Sequence, residues 1–472
     1  MSTLSPAPVV KASPEAVPPR KTWRVGTLVY TSGGLVALFS FLIFGDFALS
    51  MRDRSVSPIV HWYLNHLQVP NYLYAILLSS FPAALALILC PIISFKSDRL
   101  RSRWGRRIPF LIITTPLAAA GMIGLGLTPH IAQWVHSHFP DQSELLVTLV
   151  CFGVFWALFE FAAIAGSAVF GGLINDVVPR EMVGRFFGLF RAISLIDGMI
   201  FNYWLMGKVP DHFTLIMVIV GVYYGVAFTW VCLKVKEGEY PPPAPIVVPE
   251  PGAADGRRFL ANLRGSFATY FRECFTNSYY ISIFVMMMVA GLSFGPVNTF
   301  AIPYAASLGI SMDTYGKFLA LTFCISLVLA YPLGWLADLL HPLRLAIGVL
   351  VLYVLVTGWG MFFAKSAGAF LFAWVAHGVI SGCYFTSAAS LGQRLYPHSR
   401  FAQFASAATI VGALVGMAYT PAVGLLIDQT GRAYRYTFVI GCLTATVALV
   451  CAGLVYVKFR KLGGPKDYTA PE

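Results

Sequence analysis

Apolar stretches of about twenty residues or more recur along this chain, and few backbone shapes can run through them. Lipid offers no partner for a backbone N–H or C=O, so a spanning segment must satisfy those groups itself, as an α-helix or in a closed barrel. Barrel strands are short and alternate in polarity, whereas these stretches are long and apolar on every side. Helical spans are expected near 25–50, 72–95, 108–128, 144–173, 184–206, 213–234, 279–305, 315–339, 343–364, 367–393, 402–427 and 436–457. Composition agrees: 57% of the 472 residues are hydrophobic and only 11% charged, against about a quarter in a soluble domain. The fold class is therefore an all-α integral membrane protein of twelve transmembrane helices, with membrane lipid as its surroundings.

Six spans precede a polar segment and six follow it. The expected organisation is a disordered tail over 1–24, a first six-helix bundle over 25–234, a linker over 235–278, a second bundle over 279–460 and a tail over 461–472. The tail MSTLSPAPVVKASPEAVPPRK is rich in Pro, Ser and Ala and is not a cleavable signal. Within the linker, PPPAPIVVPEPG cannot be helical. Residues 256–275 place Phe259, Leu263, Phe267, Tyr270 and Phe271 on one face, the pattern of an interfacial helix. With the N-terminus inside, most of the 33 Lys and Arg fall on the cytoplasmic side. Both termini are then cytoplasmic, and the net charge of +12 needs no nucleic-acid partner to explain it. The eight cysteines form no C-x-x-C and no His stands at ligand spacing, so neither a metal nor a cofactor is expected.

The two halves echo each other. The fourth span ends INDVVPREMVGRFFG with Pro179 and Arg185, and the tenth ends GQRLYPHSRFAQFAS with Pro397 and Arg400. SDRLRSRWGRRIPF joins spans two and three, and GWLADLLHPLR joins spans eight and nine. Two repeated six-span halves about a cytoplasmic linker are the plan of rocker-type transporters, whose site lies at the midplane between the halves.

The run from Ser97 to Phe110, Asp-Arg-Leu-Arg-Ser-Arg-Trp-Gly-Arg-Arg-Ile-Pro-Phe after the serine, resembles the loop signature of the major facilitator superfamily. Within it, the run is most similar to the glycoside–pentoside–hexuronide cation symporters and the sucrose–proton symporters. The resemblance implies the major facilitator fold, two pseudo-symmetric six-helix bundles. It also implies an inner gate at Asp98, Arg99, Arg103 and Arg106, with Asp338 and Arg344 as counterparts. Physically, Asp98 at a helix end can pair with an arginine and cap the N–H groups of a facing helix; the alternative is that these arginines only set topology. Ser94 stands where the superfamily usually has glycine, while Gly334 keeps that position in the second half.

Ionisable groups at bilayer depth are costly and are functional candidates by default. Glu160 sits mid-way along span four, and Asp197 and Arg191 share span five. Spans four and five are joined by a short turn, which puts Glu160 and Arg191 at similar depth; an ion pair between them is expected, structural or proton-coupling. The sucrose symporters carry a carboxylate sixteen residues before a second Asp, an interval reproduced by Glu160 and Asp176, but their sugar-contacting arginine is Gly171 here. Asp46 is expected near the outer end of span one, beside Arg52, Asp53 and Arg54, as a gate, a surface pair or a cation ligand. In the second half the polar candidates are Asn298 and His377. Trp156 and Tyr203 are candidates for stacking against a solute, although span aromatics also serve as interfacial anchors.

The function expected is coupled symport, by H+ or Na+, of a sugar- or glycoside-like small polar solute in the bacterial inner membrane, the carrier being a monomer. The alternatives are an exporter of drug or metabolite type and a non-transporting sensor or assembly factor. No phosphate-binding loop or nucleophile–base pair points to an enzyme.

Overall fold

The structure is a computed structural model that describes residues 22–240, 270, 272–397 and 400–471. Its long helices are α1 (Ser32–His66), α2 (Asn71–Arg99), α3 (Ile108–His138), α4 (Glu144–Val177), α5 (Val183–Ile200), α6 (Val209–Lys234), α7 (Ser278–Ser307), α8 (Met312–Leu340), α9 (Pro342–Phe363), α10 (Ala367–Ala388), α11 (Phe401–Gln429) and α12 (Tyr436–Lys461). Short polar residues start many of them: the side chains of Thr31, Ser143, Asn277, Ser311 and Ser366 each accept a backbone N–H in the first turn. Each cap satisfies a donor that the helix leaves free at its beginning.

From Val183 to Lys234 the chain is helical over 52 residues, which as one rod would measure about 78 Å, far more than a bilayer core. It folds back instead. Phe39 and Arg54 of α1 meet Phe186 and Ser194 of α5 in the same order along the chain. Phe44 and Trp62 of α1 meet Trp230 and Phe213 of α6 in the reverse order. So α5 and α6 are antiparallel, and the turn lies at the tight helix Met206–Lys208 and the non-helical His212.

The packing repeats with an offset of six helices. In the first half α1 packs on α5 and α6, α3 on α4 and α6, and α2 on α4; in the second, α7 packs on α11 and α12, α9 on α10 and α12, and α8 on α10. Contacts between halves follow the same symmetry: α5 with α8 and α2 with α11 are images of each other, and α1 meets its own counterpart α7 at Ala301–Ser307. This is the two-bundle, pseudo-two-fold major facilitator architecture.

Two expectations about the first span change. Residues 23–30 form a β-hairpin, Trp23–Val25 against Leu28–Tyr30, closed by Gly26 in the left-handed region. Helix α1 then runs to His66 rather than ending near 50. Asp46, Arg52, Asp53 and Arg54 consequently lie around its midpoint, not near an outer end. The charged triplet lowers local hydropathy and mimics a span terminus, yet Arg52 is buried inside the bundle, where lipid never meets it. The interfacial helix expected over 256–275 lies almost entirely outside the described residues, as does the tail before residue 22. The last residues dock on the bundle: Tyr468 donates its hydroxyl to the Leu395 carbonyl over 2.7 Å.

Candidate functional site

One end of the molecule, called here the arginine-rich end, carries the loop between α2 and α3. There the carboxylate of Glu237, just beyond α6, accepts the backbone N–H groups of Arg106, Arg107 and Ile108 at 3.0, 2.8 and 2.7 Å. It thereby neutralises the positive N-terminal end of α3. Gly105 makes this approach possible: its φ is +100°, and a Cβ there would lie 2.4 Å from the Glu237 carboxyl. Asp176, at the end of α4, takes both Arg106 and Arg107, and Asp98 takes Arg107. The hydrogen bonds to Asp176 raise the Arg106 pKa above its ordinary value, and the Tyr240 phenol, pushed up by burial and then by Glu237, lies over the Arg106 guanidinium at 4.2 Å.

These groups belong to the first half or, for Glu237 and Tyr240, to the segment just beyond its last helix; none comes from the second half. Asp98 pairs with an arginine as expected, but Glu237, not Asp98, performs the helix capping. The other gate residues lie apart: Arg99 rests over Phe95, Arg103 over Trp104, and Arg344 donates to Tyr456 in the second half. The side chain of Asp338 is outside the described residues.

At the far end the halves are tied together. Asp428 of α11 accepts the backbone N–H of Asn71 and of Tyr72, each at 3.0 Å, and the Asn71 amide at 2.7 Å. Tyr434 donates to Asn71, and Arg432 to Gln68. Closer to the centre, Ser79 donates to Thr420 and Ser80 to the Met417 carbonyl. Gly316 and Gly424 let the backbones meet, since a Cβ on either would strike the opposite carbonyl of Asn202 or Asn71 at 2.3 or 2.5 Å. Towards the arginine-rich end the helices part. No residue of α2 from Phe81 to Lys96, and none of α8 from Phe323 to Leu336, is buried.

Between the halves, beneath the far-end seal, is a cavity of about 480 Å³, within the usual range of small-molecule sites. The first half contributes Asp53 and Arg54 from α1, Ser79 from α2, Arg191 from α5, and Asn202 from the widened helical turn Phe201–Leu205 that follows it. The second half contributes Asn298 from α7, Tyr315 and Phe323 from α8, and Trp374 from α10. The Tyr315 and Trp374 rings stack with centroids 5.7 Å apart, giving a flat aromatic wall. His377 lies behind it, fully buried, stacked on Trp374, with its ring nitrogens on Tyr353 (2.8 Å) and Asn298 (3.1 Å). It holds Asn298 and Trp374 in place and does not itself line the cavity.

A second cavity, of about 470 Å³, lies within the first half and shares Asp53, Ser57, His61 and Leu78 with the first. Glu160 and Trp156 line it from α4, opposite Arg52. Arg52 is only 1% exposed and is held by Asp53, Tyr224 and Ser167 at 2.8, 3.1 and 3.1 Å. Trp156 donates its indole N–H to the Leu77 carbonyl, in the widened helical turn Ile76–Ser80 of α2.

The expected Glu160–Arg191 ion pair does not form. Arg191 faces the central cavity while Glu160 faces the second one, and the guanidinium acting electrostatically on Glu160 is that of Arg52. Equal depth put Glu160 and Arg191 on one level; helix rotation put them in different cavities. Tyr203 is also displaced: in the widened turn Phe201–Leu205 after α5 it is half-exposed and packs against Trp204, and it does not line the central cavity. Asp197 is fully buried with neither carboxylate oxygen hydrogen-bonded, and Asp46, close enough to interact with it electrostatically, has one such oxygen. Asn202 and Tyr315 were not singled out from the sequence, and Arg52, Asp53 and Arg54 were named only as neighbours of Asp46. The signal that Arg52, Asp53 and Arg54 belong at the site itself was three consecutive charges inside what is otherwise an apolar helix.

Residues 283–470 match the family model of the Major Facilitator Superfamily. The chain is 27% identical over 177 residues to solute carrier family 45 member 4 of Mus musculus, covering 37% of this chain and 22% of that protein. It is 28% identical over 157 residues to a protein named an uncharacterized symporter from Synechocystis, covering 31% and 27%. The matched stretches thus span about a quarter of the length of these curated relatives. Solved structures share the fold across nearly the whole chain. A POT family transporter in complex with 5-aminolevulinic acid superposes with a TM-score of 0.65 at 13% identity, over 93% of this chain and 98% of that one. A bacterial homolog of the human lysosomal transporter Spinster, inward-facing and occupied, gives 0.64 at 14%, over 93% and 99%. A D-xylose–proton symporter gives 0.57 at 14%, over 88% of this chain and 97% of that one. The family model thus matches the second half of the chain and the two-bundle fold runs throughout, so the chain is a multi-pass membrane protein with the major facilitator fold.

Proposed function

We propose that this protein is a secondary active transporter that carries a small polar solute, of sugar or glycoside type, by alternating access coupled to H+ or Na+. The carrying observation is the central cavity: it lies between the two halves, is lined by both, and is sealed at the far end only. Rocking the halves about such a site would open the Asp428 seal and close the arginine-rich end. The flat Tyr315–Trp374 wall beside Asn202, Asn298 and Ser79 suits a solute with apolar faces and hydroxyl edges. The names symporter and xylose–proton symporter among the similar proteins support coupled transport.

Coupling falls to the buried carboxylates. Glu160 stands opposite Arg52 in the second cavity, and Asp197 has no hydrogen-bond partner. A carboxyl so placed changes its proton affinity as water reaches or leaves it. The bacterial inner membrane, with both termini cytoplasmic, is the setting proposed, so the structure faces inward. The test is proton movement: lightly buffered cells expressing the protein are offered disaccharides, glycosides, pentoses and uronates. Transient external alkalinisation with one compound, lost in Glu160→Gln, is the expected result. Silence to every compound, followed by absence of sodium-dependent uptake, would end this reading.

A further inference from the structure

Two guanidinium groups line the central cavity against a single carboxylate among its described lining residues. Arg54 of α1 and Arg191 of α5 both line it, and they are near enough to repel each other electrostatically. Arg54 spends its Nε and Nη2 on a single hydroxyl, that of Ser194, at 3.2 and 3.0 Å, and its face rests on Phe323 of the second half, 4.9 Å from the ring centre. Among the described residues Arg191 forms neither a hydrogen bond nor an ion pair, and it is exposed to the cavity. Among the described residues one carboxylate lines the cavity wall, that of Asp53; its Oδ1 is held by Arg52 at 2.7 Å, and it acts on Arg54 through space. Asp197 acts on Arg54 through space, yet neither of its oxygens reaches a donor.

Two like charges brought together at bilayer depth are costly. A guanidinium offers five N–H donors in a fork that suits carboxylate and phosphate oxygens, and most of the donors of this pair are unused. We infer that the solute carries an anionic group, a carboxylate or a phosphate, which sits between Arg54 and Arg191 while the rest of the molecule lies along the Tyr315–Trp374 wall. This rests on the transport reading for its consequence but not for its existence as a binding site. Because Arg54 also touches Phe323 across the interface between halves, the bound anion fixes an arginine that both halves share. Binding is thereby linked to the relative position of the bundles.

The first test needs no knowledge of the solute. Purified full-length protein is melted in acetate, in inorganic phosphate and in chloride at one ionic strength. The expected result is a higher midpoint in acetate or phosphate than in chloride, lost in both Arg54→Gln and Arg191→Gln; the responding salt identifies the group. Equal midpoints in all three salts, or a shift that survives both substitutions, overturns the inference. Should either variant fail to melt cooperatively, Arg54→Lys or Arg191→Lys replaces it, with a weakened shift expected because a lysine lacks the fork. The second test is uptake by proteoliposomes of glucose, glucuronate and glucose 6-phosphate, which differ only at carbon six. Uptake of an anionic member that falls about tenfold or more in the glutamine variants, the scale of one charge-assisted hydrogen bond, supports the inference. Uptake of glucose alone, unaffected by the substitutions, overturns it and leaves the transport reading standing. If none of the three enters, the transport reading is weakened while the melting experiment still decides the anion site.

Discussion

Asp428→Asn is the perturbation that most directly addresses the far-end seal. In the native chain one oxygen of Asp428 accepts the Asn71 backbone and amide N–H groups, and the other accepts the Tyr72 N–H. Asparagine keeps one acceptor and turns the other oxygen into a donor, so at least one of the three bonds becomes a donor–donor clash and the charge facing the N-terminus of α2 is lost. A hydrogen bond to a charged group contributes about 1.5–3 kcal/mol, and the site is half-buried, so a loss of about 2 kcal/mol of closure is reasonable. That is about a 30-fold shift towards opening, at about 1.4 kcal/mol per decade. Since these bonds join the halves and do not hold either one together, the melting temperature should move little. The assay places a reporter at Ser57→Cys, on the wall of both cavities, in a background with the eight native cysteines replaced. An impermeant thiol reagent should label it from the arginine-rich side in the parent. In Asp428→Asn, labelling from the far side should rise by about one to two decades. Equal far-side rates in the two proteins would refute the idea that Asp428 seals the cavity.

Other expectations follow from the same geometry. Arg52→Gln breaks a buried network and strands its partners, which should cost about 3–5 kcal/mol of stability; if Glu160 feels that guanidinium, Glu160→Gln should make the second loss smaller, and additive losses in a double-mutant cycle would show independence. Gly105→Ala should destabilise more than Glu237→Ala, because it both strains a left-handed backbone and displaces the cap on α3; thermal melting of the two variants decides the order. His341, between α8 and α9, accepts the Leu343 N–H through Nδ1, and burial, then Arg394 and Arg344, holds its pKa below the ordinary value. The folded state therefore disfavours protonation: its contribution is complete above about pH 6.5 and declines as pH falls from there through the lower folded-state pKa. His341→Asn, which keeps a side-chain acceptor for the Leu343 N–H but does not titrate, should flatten that decline in a melting series.

How far the sequence reached differs between fold and site. Length and continuity of apolar runs expose helices to direct reading, since lipid enforces the same rule on every span. The reversal between α5 and α6 was legible too, because two separate apolar runs of spanning length, 184–206 and 213–234, are broken by Lys208, Pro210 and Asp211. The end of α1 was not: a hydropathy rule judges a residue by the solvent it assumes, and Arg52 to Arg54 face protein and cavity. The gate loop was recognisable as a charged cluster, but its cap came from Glu237, about 130 residues further along the chain, a pairing no local pattern encodes.

The sequence by itself determined that the chain lives in lipid, that it forms two groups of six helices, and that a few charges stand where lipid alone would not tolerate them. Those are consequences of one-dimensional quantities: run length, spacing and the cost of a charge in hydrocarbon. Only the tertiary structure decided which charges meet. Glu160 and Arg191 share a depth but are turned into separate cavities, Arg54 and Arg191 come from helices far apart in sequence to face one space, and Asp428 closes on Asn71 from the opposite half. Depth in a membrane follows from counting residues along a helix, whereas direction around the helix axis is fixed by packing against neighbours, and that is settled only when all twelve helices are in place.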